Sequence, residues 1–168
     1  RLMVDSVDIV EAESRSIVAA VIAIVGDRHR AEEIAQDAFE RGYQRWNRVS
    51  KMDRPGAWVR RVAINGAISV ARRRSSEHRA VERLGSLASW SAGVDVDPLA
   101  ALDDEGVWAA VRALPADQAA AIALRYGADL LLDEVADTLG CTVPAARSLL
   151  HRGRTALRAS PVIQSYAP

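Results

Sequence analysis

The chain has 168 residues, with 22 basic and 22 acidic side chains and a formal charge of zero. This length suits one or two domains, at roughly 100 to 200 residues per domain. Cys141 is the only cysteine, which excludes an internal disulfide, and no group of cysteines and histidines has the spacing of zinc ligands. The apolar run from Ile17 to Val25 is too short to cross a bilayer, so we expect a soluble, cytoplasmic protein without membrane insertion.

The neutral total hides a segregated distribution of charge. Residues 51–84 contain nine basic and three acidic residues, residues 85–141 contain two basic and ten acidic ones, and residues 142–168 contain four arginines and no acid. Of the 22 basic residues, only Lys51 is a lysine and the others are arginines. The planar guanidinium group of arginine suits phosphate groups. Two basic segments separated by an acidic one indicate a polyanion partner in spite of the zero net charge.

The first half of the chain shows helical spacing of apolar residues. A helix is predicted at residues 6–25, before Gly26 and Asp27. The next helix, at residues 28–48, has the most regular stripe, made of Ala31, Ile34, Ala35, Ala38, Phe39, Gly42 and Trp46. A polar connection ends at Pro55, which can begin a helix running from about Gly56 to Arg74 or on to Leu84.

The second half contains a low-complexity segment followed by further helices. Residues 85–98 are rich in Gly, Ser, Ala and Asp and lack periodicity, which predicts a linker. Helices are predicted at about residues 99–114 and 115–126. We therefore expect an all-α fold of two small helical domains, at residues 1–84 and 99–160, joined by a flexible linker at 85–98 and followed by a tail at 161–168.

Residues 129–158 have the pattern of a helix-turn-helix. The first helix ends at Leu139, Gly140 follows where a left-handed C-cap is needed, and Thr142 is a suitable N-cap for the second helix. Pro144 fits the first turn of that helix. Its expected apolar stripe consists of Val143, Ala146, Leu149, Leu150 and Leu157, which leaves the arginines for the outer face. This division is typical of DNA-binding helices, although a helical hairpin with a solvated basic face has the same pattern.

The sequence contains no group of residues typical of a catalytic site. No nucleophile, base and orienting group occur together, and no glycine-rich phosphate loop is present. His29, His78 and His151 are far apart and are expected to lie on the surface. We therefore expect binding without catalysis, with no cofactor, no metal and no small-molecule substrate.

The order of these segments carries a family resemblance. Residues 26–46, 54–74 and 113–158 resemble, in that order, the extracytoplasmic-function sigma factors of bacterial RNA polymerase. The resemblance implies that the first domain is region 2, which binds core polymerase and opens the minus-ten promoter element. It implies that the second domain is region 4, which reads the minus-thirty-five element. Core RNA polymerase and promoter DNA are the implied partners, and an anti-sigma factor is a further one that an extended linker permits.

Candidate binding residues follow from this resemblance and from the charges. For polymerase the candidates are Glu32, Glu33, Gln36, Asp37 and Glu40, on the outer face of the second helix. For region 2 and DNA they are Arg48, Ser50, Lys51, Arg54, Arg61, Asn65, Arg72 and Arg73, with Arg60 and Arg74 among the other cations available to a single strand. For region 4 and DNA they are Thr142, Arg147, Ser148, His151, Arg152 and Arg154.

Several positions allow more than one interpretation. Trp58 is either a stacking platform for a base or, by its spacing from Val62, part of the core. The run from Leu130 to Leu132 is either core or an apolar patch covered by a partner. Asp95 and Asp97 in the linker are either solubilising or mimics of nucleic-acid charge.

The chain also departs from the family pattern at particular positions. Ile64 and Ser69 replace the usual polar residues around Asn65, Leu131 replaces a polar N-cap, and Ala145 and Leu149 remove polar side chains from the second helix of the motif. Two other functions remain open at this point. One is a stand-alone helix-turn-helix regulator that binds an operator as a dimer, and the other is an adaptor whose two domains both bind protein.

Overall fold

The structure is a computed structural model that describes residues 2–84 and 105–165, with side chains described from Glu13 onward. Every regular element within those ranges is helical, which confirms the predicted all-α fold. The elements are α1 (Leu2–Val25), α2 (Arg28–Gln44), α3 (Trp46–Val49), α4 (Pro55–Arg83), α5 (Glu105–Arg112), α6 (Ala116–Ile122), α7 (Leu132–Leu139), α8 (Val143–Arg158) and α9 (Pro161–Gln164). None of the helices in these two ranges has the length and apolar character needed to span a membrane. The predicted linker, with Asp95 and Asp97, lies outside the described residues.

α2 begins and packs as its sequence predicts. The Asp27 carboxylate accepts a hydrogen bond from the Arg30 backbone N–H at 2.9 Å, which satisfies one of the free donors of the first turn. The buried face consists of small residues, namely Ala31, Ala35, Ala38 and Gly42. These small side chains allow α2 to lie close to α1 and α4, the two long helices that it contacts.

The predicted end of this helix at Arg48 is wrong, because the chain leaves α2 at Gln44. Arg45 has φ −109° and ψ 20°, outside the helical region, and the separate short helix α3 follows. Val49 is 1% exposed and is the buried residue of α3, whereas Trp46 is 44% exposed although its spacing matches the apolar stripe of α2. Burial of Val49 gives a physical reason for the change of direction, and the change leaves Trp46 at the surface.

α4 is a single long helix that extends to the later of its two expected ends. Pro55 occupies its first turn, where the missing N–H has no helical partner to lose. Arg60 is 8% exposed, and its Nη2 donates to both carboxylate oxygens of Glu13 on α1 at 2.9 and 2.8 Å. Arg60 therefore joins α4 to α1, and its prediction as a DNA-facing cation is wrong.

The helix predicted at residues 115–126 has a change of pitch within it. α6 continues into a π-helical turn, Ala123–Gly127, in which the Ala128 N–H donates to the Ala123 carbonyl at 3.0 Å. The Arg125 side chain donates to the Leu130 carbonyl at 2.9 Å and so closes the connection to α7. Leu124 and Leu130 are both buried by this arrangement.

The two halves of the described chain pack directly against each other. α1 contacts α5, α6 and the π-helical turn, and α4 contacts α6 and α7. Ile17 from the first half and Leu124 from the second belong to one continuous hydrophobic core. Gly26, with φ +77°, lies so close to Arg112 of α5 that a Cβ there would be 2.7 Å from Nε. The sequence predicts two domains but does not predict this contact between them.

Candidate nucleic-acid interface

The turn between α7 and α8 is fixed at both ends by local hydrogen bonds. Gly140 has φ +66° and ψ 34°, the left-handed C-cap that the sequence predicts, and the Cys141 N–H donates to the Ala136 carbonyl at 3.0 Å. Thr142 Oγ1 accepts from the Ala145 N–H at 3.3 Å, which makes Thr142 the N-cap of α8. These two caps set the direction in which α8 leaves the turn.

α8 has one buried and one exposed face. Ala146, Leu150 and Gly153 are buried, where α8 packs on α6 and α7. Val143, predicted in the apolar stripe, is instead 37% exposed at the start of the helix. The exposed positions include all the predicted DNA-binding residues of this half, Thr142, Arg147, Ser148, His151, Arg152 and Arg154. Because residues 142–168 contain no acid, this face has positive charge without compensation from its own segment.

The basic side chains of α8 differ in their hydrogen-bond partners. Arg154 Nη1 lies 3.4 Å from the Tyr126 hydroxyl oxygen, and Arg152 Nε lies 3.4 Å from the Ser148 carbonyl, both long and weak contacts. In the described part of the chain, the Arg147 side chain has no hydrogen-bond partner. Arg147 is therefore an exposed cation that no contact within the described residues holds in place.

The run at residues 130–132 divides between core and surface. Leu130 is 7% exposed and Leu132 packs against the core, whereas Leu131 is 62% exposed. Leu131 is the N-cap of α7 and has no acceptor to offer to the first turn. The Glu134 carboxylate compensates in part, since it accepts a hydrogen bond from the Leu131 N–H at 2.9 Å.

In the first half, an exposed polar turn connects α3 to α4. Arg48, Ser50, Lys51 and Arg54 are all exposed there. The turn is compact, because the Ser50 N–H donates to the Trp46 carbonyl at 2.8 Å and the Met52 N–H donates to the Val49 carbonyl at 3.1 Å. The structure thus brings these four predicted residues together at one corner of the first half.

Two of the predicted DNA-binding arginines on α4 have acidic partners in the second half. Arg61 Nε donates to the backbone carbonyl of Asp137 at 2.9 Å, and its Nη2 lies 3.4 Å from the Asp137 carboxylate. Arg72 Nη2 lies 2.9 and 2.8 Å from the two carboxylate oxygens of Asp117. Arg74 donates to the Val25 carbonyl at 2.7 Å. Arg61 and Arg72 are therefore occupied in this arrangement of the chain.

The other α4 candidates face α2 across a groove of about 700 Å³. The α4 side contributes Asn65, Ser69 and Arg73, and the α2 side contributes Glu33, Gln36 and Asp37. Polymerase candidates and DNA candidates therefore share one groove, a juxtaposition that the sequence does not predict.

The five polymerase candidates, Glu32, Glu33, Gln36, Asp37 and Glu40, are all polar and lie along α2. All are exposed. Several are held by exposed contacts one helical turn away, such as Arg30 to Glu33 at 3.1 Å and Gln36 to Glu40 at 3.3 Å. Contacts of this kind contribute only a few tenths of a kcal/mol, about 0.2–0.5 per pair, so they are easily exchanged for contacts with a partner.

The structure exposes two aromatic residues that were not among the predicted binding residues. Tyr43 is 83% exposed at the end of α2, and Trp46 is 44% exposed at the start of α3, next to the exposed Arg45 and Arg48. Exposed aromatic rings among cations can stack on unpaired bases. The available signal was a tyrosine and a tryptophan within a run of polar residues. Trp58, in contrast, packs against the core, as its spacing indicates.

Comparisons with known proteins agree with this architecture. The family model for Sigma-70 region 2 matches residues 9–77, and the model for Sigma-70, region 4 matches residues 104–157. The chain is 28% identical over 160 residues to the ECF RNA polymerase sigma factor SigW of Bacillus subtilis, covering 90% of this chain and 86% of SigW. It is 26% identical over 151 residues to the RNA polymerase sigma-E factor of Streptomyces antibioticus, covering 90% and 81%.

A solved structure has the same fold. The sigma factor RpoE of Bartonella quintana, crystallised with the anti-sigma factor NepR, matches with a TM-score of 0.71 and 20% identity, over 97% of this chain and 99% of that one. Both halves of the chain match sigma-factor regions, with region 2 first and region 4 after it. The chain therefore belongs to the sigma-70 family of RNA polymerase sigma factors, and within it to the extracytoplasmic-function group. It is an alternative sigma factor that binds core RNA polymerase and promoter DNA and directs transcription initiation.

Proposed function

We propose that α8 reads the minus-thirty-five element and that residues 99–160 act as region 4. The observation that carries this proposal is the exposed arginine face of α8, on a helix whose direction is set by Gly140 and Thr142. A helix held in this way can lie in a major groove, with Arg147 directed at base edges and its basic neighbours at phosphates. Thr142 and Ser148 supply neutral hydrogen-bonding groups at the start of the same face.

The first half, at residues 1–84, acts in this proposal as region 2 and holds the opened minus-ten element. Single-stranded DNA needs cations along its backbone and platforms for unstacked bases. The corner formed by α3 and the following turn offers Lys51 and Arg54, and the exposed rings of Tyr43 and Trp46 lie shortly before it in the chain. Asn65 and Arg73 extend this surface along α4.

Core polymerase is proposed to bind the acidic strip of α2. Glu32, Glu33, Gln36, Asp37 and Glu40 are exposed and are held only by weak surface contacts within one helix. Exposed ion pairs are worth about 0.2–1 kcal/mol, so a basic surface on a partner can replace them. The same helix forms one wall of the groove that contains Asn65 and Arg73, which places polymerase contacts beside DNA contacts.

Two further properties belong to this proposal. The protein acts through interaction energy alone, without catalysis, and it acts in the cytoplasm, where bacterial polymerase and promoters are found. An anti-sigma factor is a candidate partner, because the structurally similar RpoE was crystallised with one.

Run-off transcription with core polymerase and genomic promoter fragments tests the proposal. We expect specific transcripts that require both core enzyme and this chain. Arg147→Ala combined with Arg152→Ala is expected to reduce their yield at least roughly fivefold, because a base-specific arginine contact is worth about 1–3 kcal/mol. The matched control removes two exposed arginines away from α8, Arg15→Ala with Arg79→Ala, and should leave the yield within twofold, about the effect of a neutral surface change.

The other outcomes are equally informative. Specific duplex binding by the chain alone, without any effect on transcription by core polymerase, would point to a stand-alone regulator. Transcription that is indifferent to loss of Arg147 and Arg152 would remove α8 from promoter reading and favour a protein-binding role for the second half.

A further inference from the structure

The first turn of α8 carries apolar side chains at its surface. Val143, Pro144 and Ala145 are all exposed, and they are named here the apolar tip of α8. Residues 141–146 contain no charged side chain, and the first cation of α8 is Arg147. The start of the helix therefore differs in chemistry from the arginine-rich remainder of its exposed face.

Helix geometry places the tip and Arg147 around the same exposed surface. Successive residues of an α-helix are about 100° apart around its axis. Pro144 is therefore about 200° from the buried Ala146, on the opposite side of α8. Ala145 and Arg147 each lie about 100° from Ala146, in opposite directions. An apolar flank and a cationic flank thus border the outermost line of the first two turns.

Folding explains only part of the apolar tip. A proline in the first turn gives up no helical hydrogen bond, and alanine is the best helix former, so Pro144 and Ala145 suit their positions. Val143 is different, because a β-branched residue has a lower helix propensity. It is 37% exposed and does not belong to the hydrophobic core of the described residues. The stability of α8 therefore does not account for an exposed valine at its start.

The partner of this chain offers one apolar group where such a helix would meet it. The chain binds promoter DNA. In a helix-turn-helix, the N-terminal residues of the second helix contact base edges in the major groove. Hydrogen-bond donors and acceptors line that groove, and the C5-methyl group of thymine is the apolar feature among them. Apolar side chains can contact this methyl group and cannot hydrogen-bond to the other base-edge groups.

We infer that the apolar tip of α8 recognises thymine in the minus-thirty-five element through its C5-methyl group. Val143 and Ala145 supply the methyl groups that contact it, while Arg147 on the other flank remains available for a guanine. The inference deepens the proposed function and rests on it in one respect, namely that α8 lies in the major groove. It adds a base preference that the arginine contacts do not supply.

The size and the salt dependence of this contact distinguish it from the arginine contacts. Burial of one methyl group favours binding by about fourfold, and burial of two by about fifteenfold. A methyl contact releases no counterions, so this factor should not change with salt, whereas arginine contacts to phosphate weaken steeply as salt rises.

Deoxyuridine substitution tests the inference, because deoxyuridine differs from thymidine only by the absence of the C5-methyl group. The protein is the holoenzyme of core polymerase and the full-length chain, and the probe is a promoter fragment that gives a core-dependent run-off transcript. In a second version of the fragment, every thymine of the minus-thirty-five element is replaced by uracil. Competition binding should show about fourfold weaker binding for each methyl group that is contacted, at low and at moderate salt alike.

Protein variants show whether the tip is responsible. Val143→Ser with Ala145→Ser retains the Ala145 backbone N–H that Thr142 caps, so α8 should still form. This holoenzyme should bind the thymine fragment more weakly and should no longer distinguish it from the uracil fragment. The matched control is Val162→Ser with Ala156→Ser, an exposed valine and alanine beyond the first turns of α8, and it should distinguish the two fragments as the unsubstituted protein does.

Two results would overturn the inference: equal binding of both fragments by the unsubstituted holoenzyme, or equal discrimination by the tip variant and the control variant. Either result would leave the proposed function intact, because loss of transcription on removal of Arg147 and Arg152 tests promoter reading by α8 separately. Absence of any core-dependent transcript would refute the proposed function, and the inference would fall with it.

Discussion

Arg60 and Glu13 form the most buried ion pair in the described part of the chain, with side chains that are 9% and 27% exposed. One guanidinium nitrogen contacts both carboxylate oxygens, while Arg60 Nε has no hydrogen-bond partner there. A buried guanidinium with an unused donor depends strongly on its one counter-charge, because water cannot replace the lost partner. The pair therefore links α1 to α4 in addition to the apolar core that the two helices share.

Glu13→Ala should lower the free energy of unfolding by about 3 kcal/mol, because it leaves Arg60 buried without a counter-charge. Urea denaturation followed by circular dichroism measures the change. Glu77→Ala, at an exposed position of α4, is the control and should have little effect. Glu13→Leu with Arg60→Met should recover much of the loss, and equal destabilisation by Glu13→Ala and Glu77→Ala would contradict the role of the pair.

Leu131→Ser should stabilise the protein by about 1 kcal/mol. Serine supplies the missing acceptor for the first turn of α7, and Glu134 already accepts from the backbone N–H of residue 131, so the substitution completes a reciprocal cap. The exposed leucine gives up little burial. Leu131→Ala is the matched variant that lacks the acceptor, and a midpoint of thermal unfolding as high for alanine as for serine would refute the explanation.

Gly26→Ala should destabilise the protein by at least about 1 kcal/mol, because φ +77° is unfavourable for a residue with a side chain. A further loss is expected from the added methyl group, which meets the Arg112 side chain. Combining Gly26→Ala with Arg112→Ala separates the two effects. If the contact matters, the double variant loses less stability than the sum of the single variants, and strict additivity would assign the whole effect to the backbone.

Tyr43→Ala and Trp46→Ala should each weaken binding of the opened minus-ten strand by the holoenzyme, by about 1–3 kcal/mol if a base stacks on each ring. Tyr43→Phe retains the ring and should bind nearly as well as the unsubstituted protein. Permanganate footprinting of the promoter on holoenzyme carrying each variant measures the open complex. Full opening with both alanine substitutions present would exclude these rings from strand capture.

The parts of the structure that were predictable are those fixed by neighbouring residues. The caps at Gly140 and Thr142 depend on local backbone geometry and on side-chain acceptors within a few residues, and both predictions are confirmed. The predicted start of α2 at Arg28 is also confirmed, and the neighbouring Asp27 side chain caps it. The end of α2 could not be predicted from neighbouring residues, because burial of Val49 outweighs the apolar spacing that includes Trp46.

The partners of individual arginines could not be predicted from the sequence. Arg60 and Arg61 are adjacent, yet the first is buried against Glu13 and the second reaches across to Asp137, 76 positions further along the chain. Both look alike as cations in a basic segment, since their partners are set by how distant helices pack. The groove that combines Asn65 with Asp37 has the same origin.

The seam between α2 and α4 has a mechanical consequence. A Cβ added at Gly42 would lie 3.2 Å from Val59 Cγ2, and one added at Gly66 would lie 3.2 Å from Ile34 Cγ2. At these two positions there is little free space between the helices, so sliding of one helix past the other is resisted. Under the proposed function, polymerase bound to α2 therefore also fixes the position of α4. The place where the enzyme binds then determines which part of the promoter is opened.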